Sequence, residues 1–483
     1  MTTPRGPAGR FLTGSLAEFR ADRLAFFTRC AREYGDVVSF RLLGRPVLLL
    51  NRPDLVEQVL VTHAKNFVKH FGLRLYKPIL GNGLVTSEGD FWRRQRKLSA
   101  PAFQASRLPA YAEAMVDATA RMMDEWATGA HETSEQAPGA HAAGRTQTRD
   151  VNADMMRLTL QIACKTLFGA DACPDPELVG RAMEEGLEGI AARFRLTVPL
   201  PSWMPTPSNL RLRRSMRTLH AVVADLIAGR RAAAARAGGG GGDDLLSTLL
   251  AARDENGAPM TPGQMLDEVL TLLLAGHETT ALALSYALHL LAHHADAQDT
   301  LAAELSDVLG DRLPAYADLP RLPFTRNVVT ETMRLYPPAD FLGREAVVDC
   351  TVGGIPVKRG TNLFVSQWVL HRDARFFPDP LAFDPNRWTP AFEAALPRFA
   401  YFPFGGGPRF CIGQTFAAAE GALVLATLCQ RFHFAPDPAF RLELHPGITL
   451  RPRAGVRLII QRRPAPAPDG AGESAGAAMV AGT

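Results

Sequence analysis

The sequence is short of what several large protein classes require. Its 53 Lys and Arg stand against 49 Asp and Glu, a net charge of only +4, so no basic excess marks a nucleic-acid partner. Six cysteines in 483 residues (Cys30, Cys164, Cys173, Cys350, Cys411, Cys429) include no Cys-x-x-Cys pair. That excludes a zinc-finger type of site and a disulfide framework, and it fits a reducing compartment, here expected to be the cytoplasm. Met1 to Leu12 hold no apolar run of signal-peptide or anchor length. One run, Val269 to Ala292, is long enough for a bilayer. His277, Glu278, Thr279 and Thr280 lie at its centre, which is costly in lipid, so it reads as a helix through a protein core. There is no internal repeat and no break in composition, although the length alone would allow about three domains. With 47% hydrophobic and 21% charged residues, residues 1–463 read as one large domain. Residues 464–483, rich in Pro, Ala and Gly, read as a disordered tail.

What the sequence does have is helical pattern. The fold class is mainly α with small β-sheets (α+β). Residues 37–50 predict a β-hairpin turning at Gly44-Arg45-Pro46, and residues 350–370 return to strand character. Residues 208–236 predict a long amphipathic helix starting at Ser208. Residues 129–149 read as a polar surface loop, and Gly238 to Gly242 as a flexible joint. The helix through Val269–Ala292 has a well-specified start. Thr261 serves as N-cap, Pro262 as the first helical residue, and Gln264 completes a capping box.

The chemistry concentrates in Phe404-Gly-Gly-Gly-Pro-Arg-Phe-Cys411-Ile-Gly413. Cys411 precedes a helix-like run, where free N–H groups favour a thiolate that can ligate a soft metal or haem iron. Glycines let backbone approach a flat ligand closely. Arg409 puts a cation near any carboxylate on its rim. Alone, the cysteine reads more readily as a small buried hydrophobe. As a whole the run resembles the haem-binding loop of the cytochrome P450 family, with Phe404, Gly407, Arg409, Cys411 and Gly413 at the motif positions. The resemblance implies a cytochrome P450-like fold with a long helix over haem b (iron protoporphyrin IX), and Cys411 as the axial ligand.

Further motifs extend the resemblance. Ala275-Gly276-His277-Glu278-Thr279-Thr280 is similar to the family's oxygen-activation segment. There Ala275 and Gly276 leave space above the iron, and Glu278 and Thr279 organise proton delivery. Glu331 and Arg334, at i and i+3, resemble the family's Glu-x-x-Arg pair, with Arg387 as third member of a structural network. Trp92, Arg96 and Arg344 match positions that hold the haem propionates.

These residues imply a haem-thiolate monooxygenase inserting one atom of O2 into a C–H bond of a lipophilic molecule such as a fatty acid, terpenoid or steroid. Pocket residues implied by position are Phe71, Leu272, Ala275, Gly276, Ala339, Phe341 and Ile448. No flavin or iron–sulfur domain follows Cys411, so a ferredoxin or flavodoxin-type donor with its reductase is expected. The basic cluster Arg93, Arg94, Lys97 is read as its docking surface. A monomer without a membrane anchor is expected. A peroxygenase, an isomerase or a haem sensor without turnover are the alternatives, and the acid–alcohol pair Glu278-Thr279 favours the monooxygenase.

Overall fold

The computed structural model describes residues 4–128, 146–169, 204–236 and 244–463, with residues 175, 178–182, 185, 186, 189 and 242 between those stretches. Residues 129–145 of the expected polar loop, glycines 238–241 of the expected joint and the tail 464–483 lie outside them. Among the described residues, nine helices run ten residues or longer. They are α1 (Arg23–Tyr34), α2 (Gly89–Ser99), α3 (Leu108–Thr128), α4 (Val151–Phe168), α5 (Pro207–Arg236), α6 (Pro262–His293), α7 (Ala295–Leu309), α8 (Pro323–Leu335) and α9 (Gln414–Arg431).

Helix α6 is the axis of the molecule. Its capping box is formed as the local sequence predicts. Thr261 Oγ1 accepts from the Gln264 amide at 3.3 Å, and Gln264 Oε1 accepts from the Thr261 amide at 2.9 Å. Its apolar residues recur on every side, so it is buried by α4, α8, α9 and the strand Phe432–Pro436. Each fully buried Leu there contributes about 1.5–3 kcal/mol through the hydrophobic effect. Helix α5 starts one residue before the expected Ser208, because Thr206 Oγ1 accepts from the Asn209 amide.

A five-stranded sheet stands to one side, in the order Val37–Leu42, Arg45–Leu50, Asn362–Val365, Leu342–Ala346, Phe67–Lys69. The hairpin turns at Leu43-Gly44, whose φ values of 51° and 75° suit a two-residue reversal. Arg45 and Pro46 belong to the second strand, contrary to the expected turn. Residues 367–370 form a helical turn rather than strand, and Thr146–Asp150, expected as loop, pairs with Arg457–Gln461.

One buried network fixes the segment ahead of Cys411. Glu331 Oε1 accepts from Arg334 Nη2 at 2.8 Å, Arg387 Nε at 2.9 Å and the Asp384 amide at 3.1 Å. Its Oε2 accepts from Arg334 Nε at 2.8 Å and Trp388 Nε1 at 2.9 Å. Arg334 also donates to the carbonyls of His371, Pro380 and Ala382. Every polar edge of a fully buried acid and guanidinium is thereby matched, which is what burying them demands.

Candidate active site

The loop before α9 is held by its own backbone. The Cys411 amide donates to the Phe404 carbonyl at 3.1 Å, and the Phe410 amide to Gly407 at 3.0 Å. Gly405 and Gly407 have φ of 74° and 66°. A Cβ at Gly407 would lie 1.9 Å from the Leu60 carbonyl oxygen, and one at Gly406 would lie 2.2 Å from the Phe399 ring. A Cβ at either position would therefore meet protein, so these glycines are required by the turn and by close packing. The Cys411 side chain, by contrast, keeps exposed surface although protein surrounds it. Burial pushes its thiol upward, against the Gly413 amide and the Arg96 guanidinium, which pull it down. Burial wins, so the helix start alone does not make a thiolate; a coordinated metal ion would.

Along α6 from Val269 to Ala292 only Ala275 is exposed, and Gly276, Thr279, Ala283 and, further on, His289 are half-buried. Residues 275, 279 and 283 are spaced by four, so they share one face, and that face is small and uncharged. Thr279 Oγ1 donates to the Ala275 carbonyl at 2.8 Å. Glu278 points elsewhere. Its Oε1 accepts from the Thr449 hydroxyl and from Arg451 Nε, both at 2.5 Å. Burial pushes the Glu278 carboxyl up, but Arg451 and Thr449 together hold it below the ordinary range. Acid and alcohol are thus adjacent in sequence and separately bonded. His277, given no role from sequence, is buried with Nδ1 on the Leu273 carbonyl, while its own carbonyl accepts from Thr159 of α4.

Cations gather between α2 and the sheet. Arg409 donates to the Ser87 carbonyl at 3.0 Å and to the Glu88 carboxylate, with its guanidinium 3.7 Å from the Trp92 ring centre. Lys69 donates to the Leu84 and Ser87 carbonyls, and burial pushes it down to about 7. Among the described residues, Arg344 donates only to the neighbouring Gly343 carbonyl, and burial, with Arg409 nearby, lowers it to about 10. Arg96 is lowered by burial and raised by the nearby Cys411 sulfur. Among the described residues, only Arg409 of these cations has a carboxylate in contact. A desolvated cluster with this surplus of positive charge is a donor set for an anionic ligand, and two propionates fit it.

The sequence pattern of the family described as Cytochrome P450 matches residues 4–456. The chain belongs to the cytochrome P450 family. It is 36% identical over 421 residues to cyclooctatin synthase of Streptomyces melanosporofaciens, covering 86% of this chain and 87% of that protein. It is 35% identical to cyclooctat-9-en-7-ol 5-monooxygenase of the same organism, covering 85% and 84%. Pentalenene oxygenase of Streptomyces avermitilis is 34% identical, with 84% and 85% covered. As a cytochrome P450 the protein is a haem-dependent monooxygenase, an oxidoreductase acting on a lipophilic small molecule. No helix among its described residues is long and apolar enough to cross a membrane.

The P450 structure redistributes several residues expected from sequence. Phe341 lies in an aromatic cluster with Phe19, Phe27 and Phe364, at centroid distances of 5.1–6.5 Å, and Arg23 covers its ring. Phe71 packs against the same cluster. Leu272 is part of the main core, and Ile448 packs against it. Ala339 stays half-buried beside the buried Asp340, which accepts from Arg23 at 2.7 and 2.8 Å.

The residues of the expected basic docking patch have local partners. Arg93 pairs with Asp90, Arg94 with Asp254 at 2.7 Å, and Lys97 with Glu255 at 2.6 Å. Each charge is answered locally, and these three residues form no surplus of positive charge.

Sequence reasoning missed Lys69, Arg451 and Glu420. Glu420 is buried on α9 with Oε2 lacking a partner, and burial pushes it up to about 8 against a pull from Thr280. A lone acid in the apolar run Ala417–Leu425 was the signal for it.

Proposed function

We propose that this cytochrome P450 hydroxylates a cyclic terpenoid at an unactivated C–H bond, with Cys411 as the axial ligand of haem b. When bound, the haem supplies dioxygen activation and C–H oxidation with two electrons from outside. Arg96 and Arg344, with Arg409 seated on Trp92, would neutralise the two propionates. Phe404, Gly407 and Gly413 shape the loop that presents Cys411.

The observation that carries the substrate reading is the face of α6 formed by Ala275, Gly276, Thr279 and Ala283. It is accessible and offers no charge to anchor a polar group. The names of the relatives specify oxidation of cyclooctat-9-en-7-ol and pentalenene, compact ring systems that suit such a face. A panel of cyclic terpenes, steroids and fatty acids should separate the classes. Cyclic terpenes should displace water from the pocket and shift the Soret band at micromolar concentration. A response confined to fatty acids would overturn the substrate class while leaving the haem assignment intact. Electrons would come from a separate ferredoxin or flavodoxin with its reductase, to a monomer in the cytoplasm.

Two expectations test the residue roles. Replacing Arg96 or Arg344 by Leu should speed haem loss severalfold, and the double variant by about tenfold or more, since each removes a charge-assisted contact. Haem transfer to apomyoglobin measures this; wild-type retention in the double variant would remove both from the site.

Thr279→Ala tests proton handling. Thr279 is the hydroxyl-bearing residue on the accessible face, whereas Arg451 keeps Glu278 ionised and therefore a poor donor while that pair holds. The variant should bind substrate normally, yet yield severalfold less product per electron, with more hydrogen peroxide released. Unchanged coupling would leave Thr279 as a helix-bonded residue only.

A further inference from the structure

Well away from Cys411, the C-terminal end of α6 borders a half-open cavity of about 460 Å³. His289, on its wall, is ten residues beyond Thr279, or about 15 Å along the helix axis at 1.5 Å per residue. The other walls come from Tyr336 just after α8, from Trp368 and Arg372, and from Phe383. No Asp or Glu lines it, whereas Arg372, His289, His293 and His294 do.

Arg372 is the unusual member. Its guanidinium carbon stands 3.3 Å from the Trp368 ring centre and 5.9 Å from that of Tyr336. It donates to the Leu335 and Trp368 carbonyls, and no described carboxylate pairs with it. Burial pushes it down to about 9, with Tyr336 opposing and Arg334 adding to the push. A guanidinium has five N–H donors, and two carbonyls do not use them all. Its charge is desolvated on one side and lacks a counter-ion. Next to it, His289 Nδ1 is buried with no hydrogen-bond partner. The Nδ1 atoms of His293 and His294 are engaged by the carbonyls of His289 and Leu290 at 2.8 and 2.7 Å. The walls therefore combine flat rings with aliphatic side chains, and the charged group among them is basic.

We propose that this cavity binds a small planar aromatic carboxylate, with its ring among Trp368, Tyr336 and Phe383 and its carboxylate on Arg372. A metal ion on the His289–His293 pair, whose ring centres are 4.4 Å apart, would meet the charge of Arg372; that charge makes an anion the better occupant.

The probe is 2-naphthoate, titrated into the haem-loaded protein by calorimetry while the Soret band is recorded. Saturable one-to-one binding is expected without a Soret change. The neutral 2-naphthalenemethanol should bind about tenfold more weakly, and so should naphthoate to the Arg372→Gln variant, each losing a charge-assisted contact. Leu381, 74% exposed at the rim, offers a variant that leaves the core untouched. Leu381→Glu should weaken naphthoate severalfold with an unchanged melting temperature. A Soret shift, absence of binding at millimolar probe, zinc binding with no response to naphthoate, or equal affinity in both variants would each overturn the site.

Discussion

Replacing Cys411 with alanine should reduce substrate oxidation to background while leaving the fold in place. The side chain is exposed within the loop, so its loss opens no cavity in the apolar core. The loop is set by the Cys411 amide on Phe404, by glycine φ angles and by contact with Leu60 and Phe399. None of these needs the sulfur. Secondary structure and melting temperature of the haem-free protein should therefore match the wild type. The reduced carbon monoxide complex should lose the red-shifted Soret band that a thiolate ligand produces, and turnover should fall below detection. The other described cysteines offer no substitute: Cys30, Cys164 and Cys429 are buried and Cys350 lies in the small two-stranded sheet. Retention of the thiolate band in Cys411→Ala would refute the ligand assignment outright.

Glu331→Ala should have the largest effect on stability. It removes the acceptor of five hydrogen bonds and leaves Arg334 as a charge with no exposed surface and no counter-ion. Breaking a buried pair in this way costs about 3–5 kcal/mol, a large share of the roughly 5–15 kcal/mol that holds a domain together. The expected protein is poorly soluble or haem-free, because Arg334, which organises the carbonyls of His371, Pro380 and Ala382, loses the acid that fixes it. Glu331→Gln, which keeps the shape and one acceptor oxygen, should fall between the two. Denaturant midpoints and haem content measure both. A loss below about 1 kcal/mol in Glu331→Ala would show that the loop is fixed by other contacts.

The local features were legible. Thr261, Pro262 and Gln264 start α6 as written because a capping box closes within four residues. Cys411 and its glycines announce themselves because one short loop carries the motif. What the sequence hid depends on partners far along the chain. Arg451 meets Glu278 across 173 positions, and Arg94 meets Asp254 across 160. No periodicity points from one to the other, so neither ion pair is legible in the sequence. Phe341 is placed in the pocket by the family resemblance, and only the fold shows that its ring also packs with Phe19, Phe27 and Phe364. Lys69 sits on a three-residue strand with no pattern of its own.

The seat of Gly407 on the Leu60 carbonyl joins two points of the chain 347 positions apart. A ribosome delivers Leu60 early and Gly407 late, and the intervening helices must fold around α6 in the meantime. The loop carrying Cys411 can close only on the helical turn Gln58–Thr62 that holds Leu60. Synthesis order thus makes the cofactor site a late assembly, and a chain truncated before residue 407 lacks both the loop and the contact that seats it.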